Sequence, residues 1–191
     1  MRFGVDVSEH QDGLSLAAAG VSFAVLRTTD GTYRDKVFAS HLDGARAAGI
    51  AVETYHLLRN PSEGTTVAEQ VDAALAVLGD FRAPMWLDCE TPAGLSLDDV
   101  WLAHSLFTSA GVPVAGVYTS RRWWRRRMCG ADTSPFGALW IAEYGADTGE
   151  FPGEDSWPAA VGRQRPVMWQ YTSRGRVANY PSDVDLNARL E

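Results

Sequence analysis

Apolar residues along this chain switch between two periods, and the switching predicts the fold. Arg2–Val7 alternates apolar with other residues between polar loop residues, which predicts a first strand ending near Asp6. A second apolar run, residues 22–28, stops at the turn signal Asp30-Gly31. Over residues 36–48 the positions Phe38, Leu42, Ala45 and Ala48 recur at three- and four-residue steps, so they share one helical face, and Gly49 ends that helix. Ala51–Leu57 reads as a third strand. Val67, Val71, Ala74, Leu75 and Leu78 then form a helical stripe, with Thr66 and Glu69 at capping-box spacing before it. Residues 85–90 predict a fourth strand, residues 96–110 a helix capped by Ser96 and Asp99, and residues 114–118 a fifth strand. Strand and helix in alternation are the pattern of a parallel sheet.

Beyond Tyr118 the rhythm changes. One helix-like segment, residues 121–128, precedes strand-like pieces at 138–143, 166–171 and 184–186. Five alternating units followed by mostly β structure predict a barrel whose closing third lacks full helices. The Gly/Pro-rich residues 145–162 read as a long loop, and neither repeats nor a second domain are visible.

Composition narrows the picture further. A chain of 191 residues, 46% hydrophobic and 21% charged, suits one domain with one large core. Its formal charge of -7 argues against a nucleic-acid partner held by overall charge. The opening residues MRFGVDVSEHQDG hold no apolar stretch long enough for a signal-peptide core or a membrane insertion, so synthesis in the cytoplasm is expected. Cys89 and Cys129 are too few for a disulfide scaffold and lack zinc-site spacing; His10, His41, His56 and His104 are dispersed and read as structural. The cluster RRWWRRR at residues 121–127 reads as a solvated helix face with a tryptophan packed inward, or as a patch attracting other anionic polymers, rather than as a nucleic-acid site.

The chemistry is concentrated in Trp86-Leu87-Asp88-Cys89-Glu90. Period-two geometry puts Trp86, Asp88 and Glu90 on one face and turns Cys89 away into the layer behind the strand. Two carboxylates about 6 Å apart at an effective dielectric near 20 repel by roughly 3 kcal/mol, so one holds its proton to higher pH than the other. That is the condition for a general acid beside an ionised partner. Asp6 also closes a strand, and in a parallel barrel such ends gather on one rim, which Asp185 joins if the last strand closes the barrel. Taken singly, each of these acids also reads as a solvated turn or ion-pair residue.

The ordered set GVDVSEHQ, TTDGTYRDKVFASHLDGARAAGI, TYHLLRNP, LDCE, VPVAGVYTS, LWIAEY, MWQYTSRGRV and VDLN resembles the family 25 glycoside hydrolases, the Chalaropsis-type lysozymes, nearly end to end. The resemblance implies an α/β fold, a TIM-like (β/α)5(β)3 barrel in a single catalytic domain spanning 1–191. It also implies retaining cleavage of the β-1,4 bond between N-acetylmuramic acid and N-acetylglucosamine in peptidoglycan, without metal or organic cofactor. Glu90 then corresponds to the general acid/base and Asp88 to its partner, either attacking the sugar or supporting the substrate's own N-acetyl group, while Asp6 and Asp185 flank the pair. Tyr55, Tyr118, Trp140, Tyr144, Trp169 and Tyr171, with Gln170 as a polar contact, are candidates to bind sugar. Asp30 stands where relatives often have Glu, Arg27 where Lys is common and Glu53 where Gly is frequent. A monomeric phage endolysin acting on glycan strands at the wall is the expectation. The contrasting reading is a non-catalytic glycan-binding module on the same barrel.

Overall fold

The computed structural model describes residues 1–191. In chain order the elements are β1 (Arg2–Val7), β2 (Phe23–Asp30), β3 (Tyr33–Arg34), α1 (Phe38–Ala47), β4 (Ala51–Leu57), α2 (Val67–Leu78), β5 (Met85–Asp88), α3 (Leu97–Ser109), β6 (Val114–Ser120), α4 (Arg121–Arg127), β7 (Ala138–Ala142), β8 (Met168–Gly175) and β9 (Val184–Arg189). The capping boxes read from the sequence form as expected: Thr66 and Glu69 open α2, and Ser96 and Asp99 open α3. No helix is long and apolar enough to cross a membrane.

Eight strands close into a TIM-like barrel. Neighbours run β1-β2-β4-β5-β6-β7-β8-β9, and β9 returns to β1; β3 is a short hairpin return on the end of β2. Every barrel pairing from β1 round to β8 is parallel, whereas β9 lies antiparallel to both β8 and β1. Four α-helices cover the parallel part. The crossover from β1 to β2, where a (β/α)5 pattern implies a helix that the sequence did not display, consists of two 3-10 turns, Glu9–Gln11 and Leu16–Ala18. Gly13 and Gly20, at φ of 79° and 68°, divide this stretch into pieces too short for an α-helix.

The period-two pattern separates two cores. A cluster of 33 buried residues joins the outward faces of the strands, with Leu26, Leu87, Cys89, Val117 and Ile141, to the helices and turns that cover them. A smaller cluster of Phe23, Val25, Trp86, Tyr118, Trp140 and Met168 fills the barrel interior. Close packing there demands glycine at two strand positions. A Cβ on Gly4 would come within 2.5 Å of the Phe23 ring, and one on Gly116 within 1.8 Å of the Ala138 carbonyl oxygen. Above this apolar floor the interior turns polar, and the cleft opens.

Candidate active site

The parallel strands carry their C-terminal ends to one rim, and antiparallel β9 brings its first residues to the same place. Asp6 and Asp185 are therefore direct partners across the β1–β9 pair. Asp88 ends β5 between Leu57 of β4 and Tyr118 of β6. Hydrogen-bonded strand geometry stops at Asp88, two residues earlier than the sequence pattern suggested. The ladder still continues through Cys89 N–H, which donates to the Tyr118 carbonyl at 2.8 Å, so alternation survives and Glu90 returns to the side of Asp88. The result is an open cleft of about 320 Å³ into which Asp6, Asp88, Glu90 and Asp185 all face.

Asp6 is held by amides whose orientation can be deduced. The Trp140 indole N–H, a donor only, is 2.8 Å from Asn187 Oδ1, so the Asn187 amide nitrogen must point the other way, and it donates to Asp6 Oδ2 at 2.7 Å. Gln170 repeats the pattern. Its carbonyl oxygen accepts from Tyr118 OH at 2.8 Å and Tyr144 OH at 2.6 Å, while its nitrogen donates to the same Asp6 oxygen at 2.8 Å. Aromatic residues of the wall thus orient two amides, and the amides fix one carboxylate.

All four acids have raised pKa values, because protein surrounds them and because they face one another. For Asp6 burial is the largest cause, followed by the charge of Asp185; the two amide hydrogen bonds pull the other way. Burial likewise lifts Asp88 well above the usual carboxylate range, with the charges of Glu90, Asp6 and Asp30 adding to it. Asp88 Oδ1 is buried without any hydrogen-bond partner. Glu90 differs in access: its side chain is exposed at the cleft. Its pKa is nonetheless raised, first by the surrounding protein mass and then by Asp30, against the lowering influence of Arg59. Asp185 is pushed up to about 6 by burial, Glu90 and Asp147. Such a group of acids cannot ionise independently, and each holds its proton to higher pH than it would alone.

A ring of cations frames the acids without neutralising them. Arg59 binds Asp30 through two hydrogen bonds, at 2.5 and 2.7 Å, and reaches Glu63 at 3.3 Å. Buried Arg27 contacts Asp35 at 2.9 Å and Glu9 at 3.5 Å. Glu53 sits lower in the barrel, accepting from the Trp86 indole at 2.7 Å and pairing with Arg189 at 2.5 Å. Each position that departs from the family pattern is therefore occupied by a paired charge. No group of three or more His, Cys, Asp or Glu side chains is arranged to hold a metal ion.

Of the residues singled out in the sequence, Tyr55, Tyr118, Trp140, Tyr144 and Gln170 line the cleft with the four acids. Trp169 does not. Because Gln170 points inward, its neighbour on β8 points outward, and Trp169 is buried under the long loop, against Phe151 and Trp157, with its indole donating to the Glu143 carbonyl at 2.7 Å. His56, fully buried, is turned outward too; it meets Thr29 at 2.6 Å and the edge of Phe107. His10, read as structural, stands exposed at the cleft with Ser8 and Gln11, and Leu57, Arg27 and Asp30 complete the lining. The signal that could have found the first three was their position immediately after the strand that carries Asp6 near its end.

Comparison with known proteins agrees with this architecture. The model of the family described as glycosyl hydrolases family 25 matches residues 5–180. Among curated proteins the chain is 32% identical to "Lysozyme M1" of Streptomyces globisporus, over 96% of this chain and 66% of that one. It is 28% identical to "Autolytic lysozyme" of Clostridium acetobutylicum, over 96% of this chain and 54% of that one. The chain thus spans just under two thirds of the first relative and about half of the second. Among solved structures, a bacterial lysozyme from Streptomyces coelicolor superposes with a TM-score of 0.79 at 23% identity, covering 100% of this chain and 92% of that one.

Proposed function

The chain belongs to glycosyl hydrolase family 25, and on that premise we propose that it is a muramidase, a monomer that cleaves the β-1,4 bond between N-acetylmuramic acid and N-acetylglucosamine in bacterial peptidoglycan with retention of configuration. The observation that carries this reading is the contrast within one acid pair: Glu90 is open to the cleft with a raised pKa, while Asp88 is buried beside it. A proton donor must reach the departing oxygen, and Glu90 has that access. The chain's resemblance in sequence to two proteins named as lysozymes points to the same substrate.

In the proposed reaction the glycan lies in the cleft with the scissile oxygen against Glu90. As the bond from the anomeric carbon to that oxygen breaks, Glu90 passes its proton to the leaving sugar. The unpartnered Oδ1 of Asp88 is a buried acceptor lacking a donor, and this favours the reading in which it receives the N–H of the substrate's 2-acetamido group. The acetamido oxygen then attacks the anomeric carbon and forms a cyclic intermediate. Water, losing its proton to Glu90, opens that ring from the face the leaving group occupied, and retention follows. Asp6 and Asp185 keep the cleft negative as positive charge grows on the sugar. Tyr55, Tyr118, Trp140 and Tyr144 supply apolar ring edges and hydroxyls to the glycan.

A non-catalytic glycan-binding module would gain nothing from crowding four acids at raised pKa, since burial of carboxylates costs stability that sugar binding alone does not require. Incubation with purified peptidoglycan, followed by identification of the new reducing ends, tests the activity. Reducing N-acetylmuramic acid is expected; reducing N-acetylglucosamine, or no cleavage, contradicts the reading. Mass spectrometry of acid-quenched enzyme tests the role of Asp88. No sugar ester is expected on it, and a glycosyl ester at Asp88 would show direct attack instead.

A further inference from the structure

The arginine cluster of α4 has no part in the reaction just described. Arg121 is engaged, bonded to Glu143 at 3.0 Å and to the carbonyls of Ala159 and Ala160, and Arg127 donates to the Pro92 carbonyl. Arg122, Arg125 and Arg126 are different: they are exposed and pair with no carboxylate, in a chain whose formal charge is -7. Spaced at three and four residues, they share one helical face opposite buried Trp124, and like charges at that spacing disfavour the helix that carries them. They line a shallow groove of about 700 Å³ together with Ser120, Ala142 and Glu143. The one acid in this groove, Glu143, is already held by Arg121.

The groove lies beside the sugar cleft. Ser120 ends β6 two residues after Tyr118 of the cleft wall, and Glu143 immediately precedes Tyr144 of the same wall. The basic groove therefore begins within about 4 to 7 Å of the sugar cleft along two neighbouring chain segments. An anion bound there need not be a separate polymer. The muramyl sugar of wall glycan carries a peptide on its lactyl group, and that peptide bears free carboxylates. Extended at about 3.4 Å per residue, three or four of its residues reach from the cleft across the groove.

We propose that Arg122, Arg125 and Arg126 form a subsite for the carboxylates of the peptide carried by the glycan substrate. The proposal rests on the muramidase reading and deepens it: the cleft recognises sugar, and the groove distinguishes peptide-bearing glycan from bare glycan by charge. Arginine suits the task because its planar fork matches a carboxylate.

Calorimetric titration tests this on a Glu90→Gln chain, to stop turnover, and on the same chain with Arg122→Gln, Arg125→Gln and Arg126→Gln added. The probes are soluble glycan fragments with their peptides, the same fragments with peptides removed, and a glycerol-phosphate polymer. The arginine-containing chain is expected to bind peptide-bearing glycan about tenfold more tightly than bare glycan at low salt, with the advantage fading at high salt. The chain with the three arginines replaced is expected to bind both as the parent binds bare glycan, which also shows that it is folded. An equal preference in both chains, or none in either, overturns the subsite. So does arginine-dependent binding of the phosphate polymer stronger than that of peptide-bearing glycan. Failure of bare glycan to bind either chain sinks the muramidase reading itself.

Discussion

At the scale of single residues, the cleft works through differences in access and neighbourhood among similar carboxylates. The pKa of Glu90 is raised by surrounding protein and by Asp30 and is lowered by Arg59. Replacing Arg59 by Met removes the cation and frees the Asp30 charge, so both changes favour protonated Glu90. The alkaline limb of the pH–rate profile, where the acid loses its proton, should move to higher pH in Arg59→Met; a limb that stays in place or moves down would show that another group sets it. Residue-level reading of the sequence anticipated placement where a local pattern decides it, as in Asp88 and Glu90 lining the cleft on either side of an outward Cys89. It failed at Trp169 because a motif was taken whole: adjacent residues of one strand cannot both face the cleft, and Gln170 already does. The Trp140–Asn187–Asp6 connection, spanning most of the chain, left no trace in local spacing.

At the scale of elements, the segment after Glu90 is secured by side chains from two others. Thr91 donates its hydroxyl to Glu63, within the β4–α2 connection, at 2.6 Å, and its carbonyl accepts the Trp123 indole N–H of α4 at 2.8 Å. Asn60 donates to the Gly94 carbonyl at 2.7 Å. The short α4 thus helps to hold the proposed acid/base in place. Trp123→Phe keeps the ring and loses this bond, which should cost about 1 kcal/mol of stability and lower kcat several-fold with little change in KM. Denaturant titration and steady-state kinetics check both, and a rise in KM at constant kcat would contradict a positioning role. Most elements were legible because apolar periodicity and capping boxes act locally. The first crossover was not, since 3-10 turns carry no helical stripe. The long loop was visible as a loop; its function of covering Trp169 and Tyr171 with Phe151 depends on tertiary packing.

For the molecule as a whole, barrel closure gathers acids that are costly to keep together. Nothing in the apolar pattern encodes strand direction, so the antiparallel β9 that sets Asp185 against Asp6 was visible only as a strand. Asp185, with its pKa raised to about 6, destabilises the fold when ionised, and stability from this group rises as pH falls from about 6 towards 4. His56, lowered to about 4 by burial, acts in the opposite direction: it costs nothing above pH 6.5, and stability is lost as pH falls from there towards 4. At pH 7 only the acid's cost remains, so Asp185→Asn should gain about 1 to 2 kcal/mol in denaturant unfolding while lowering hydrolysis; a loss of stability would contradict the electrostatic account. The central claim, that Glu90 supplies the proton at this mouth, is tested most directly by the first-turnover rate of Glu90→Gln on two substrates. On wall glycan, whose leaving sugar needs a proton, the rate should fall by about a thousandfold or more; on a dinitrophenyl glycoside of the same sugar, whose leaving group needs none, it should stay near wild type. Equal losses on both substrates, or wild-type cleavage of the wall, would contradict it.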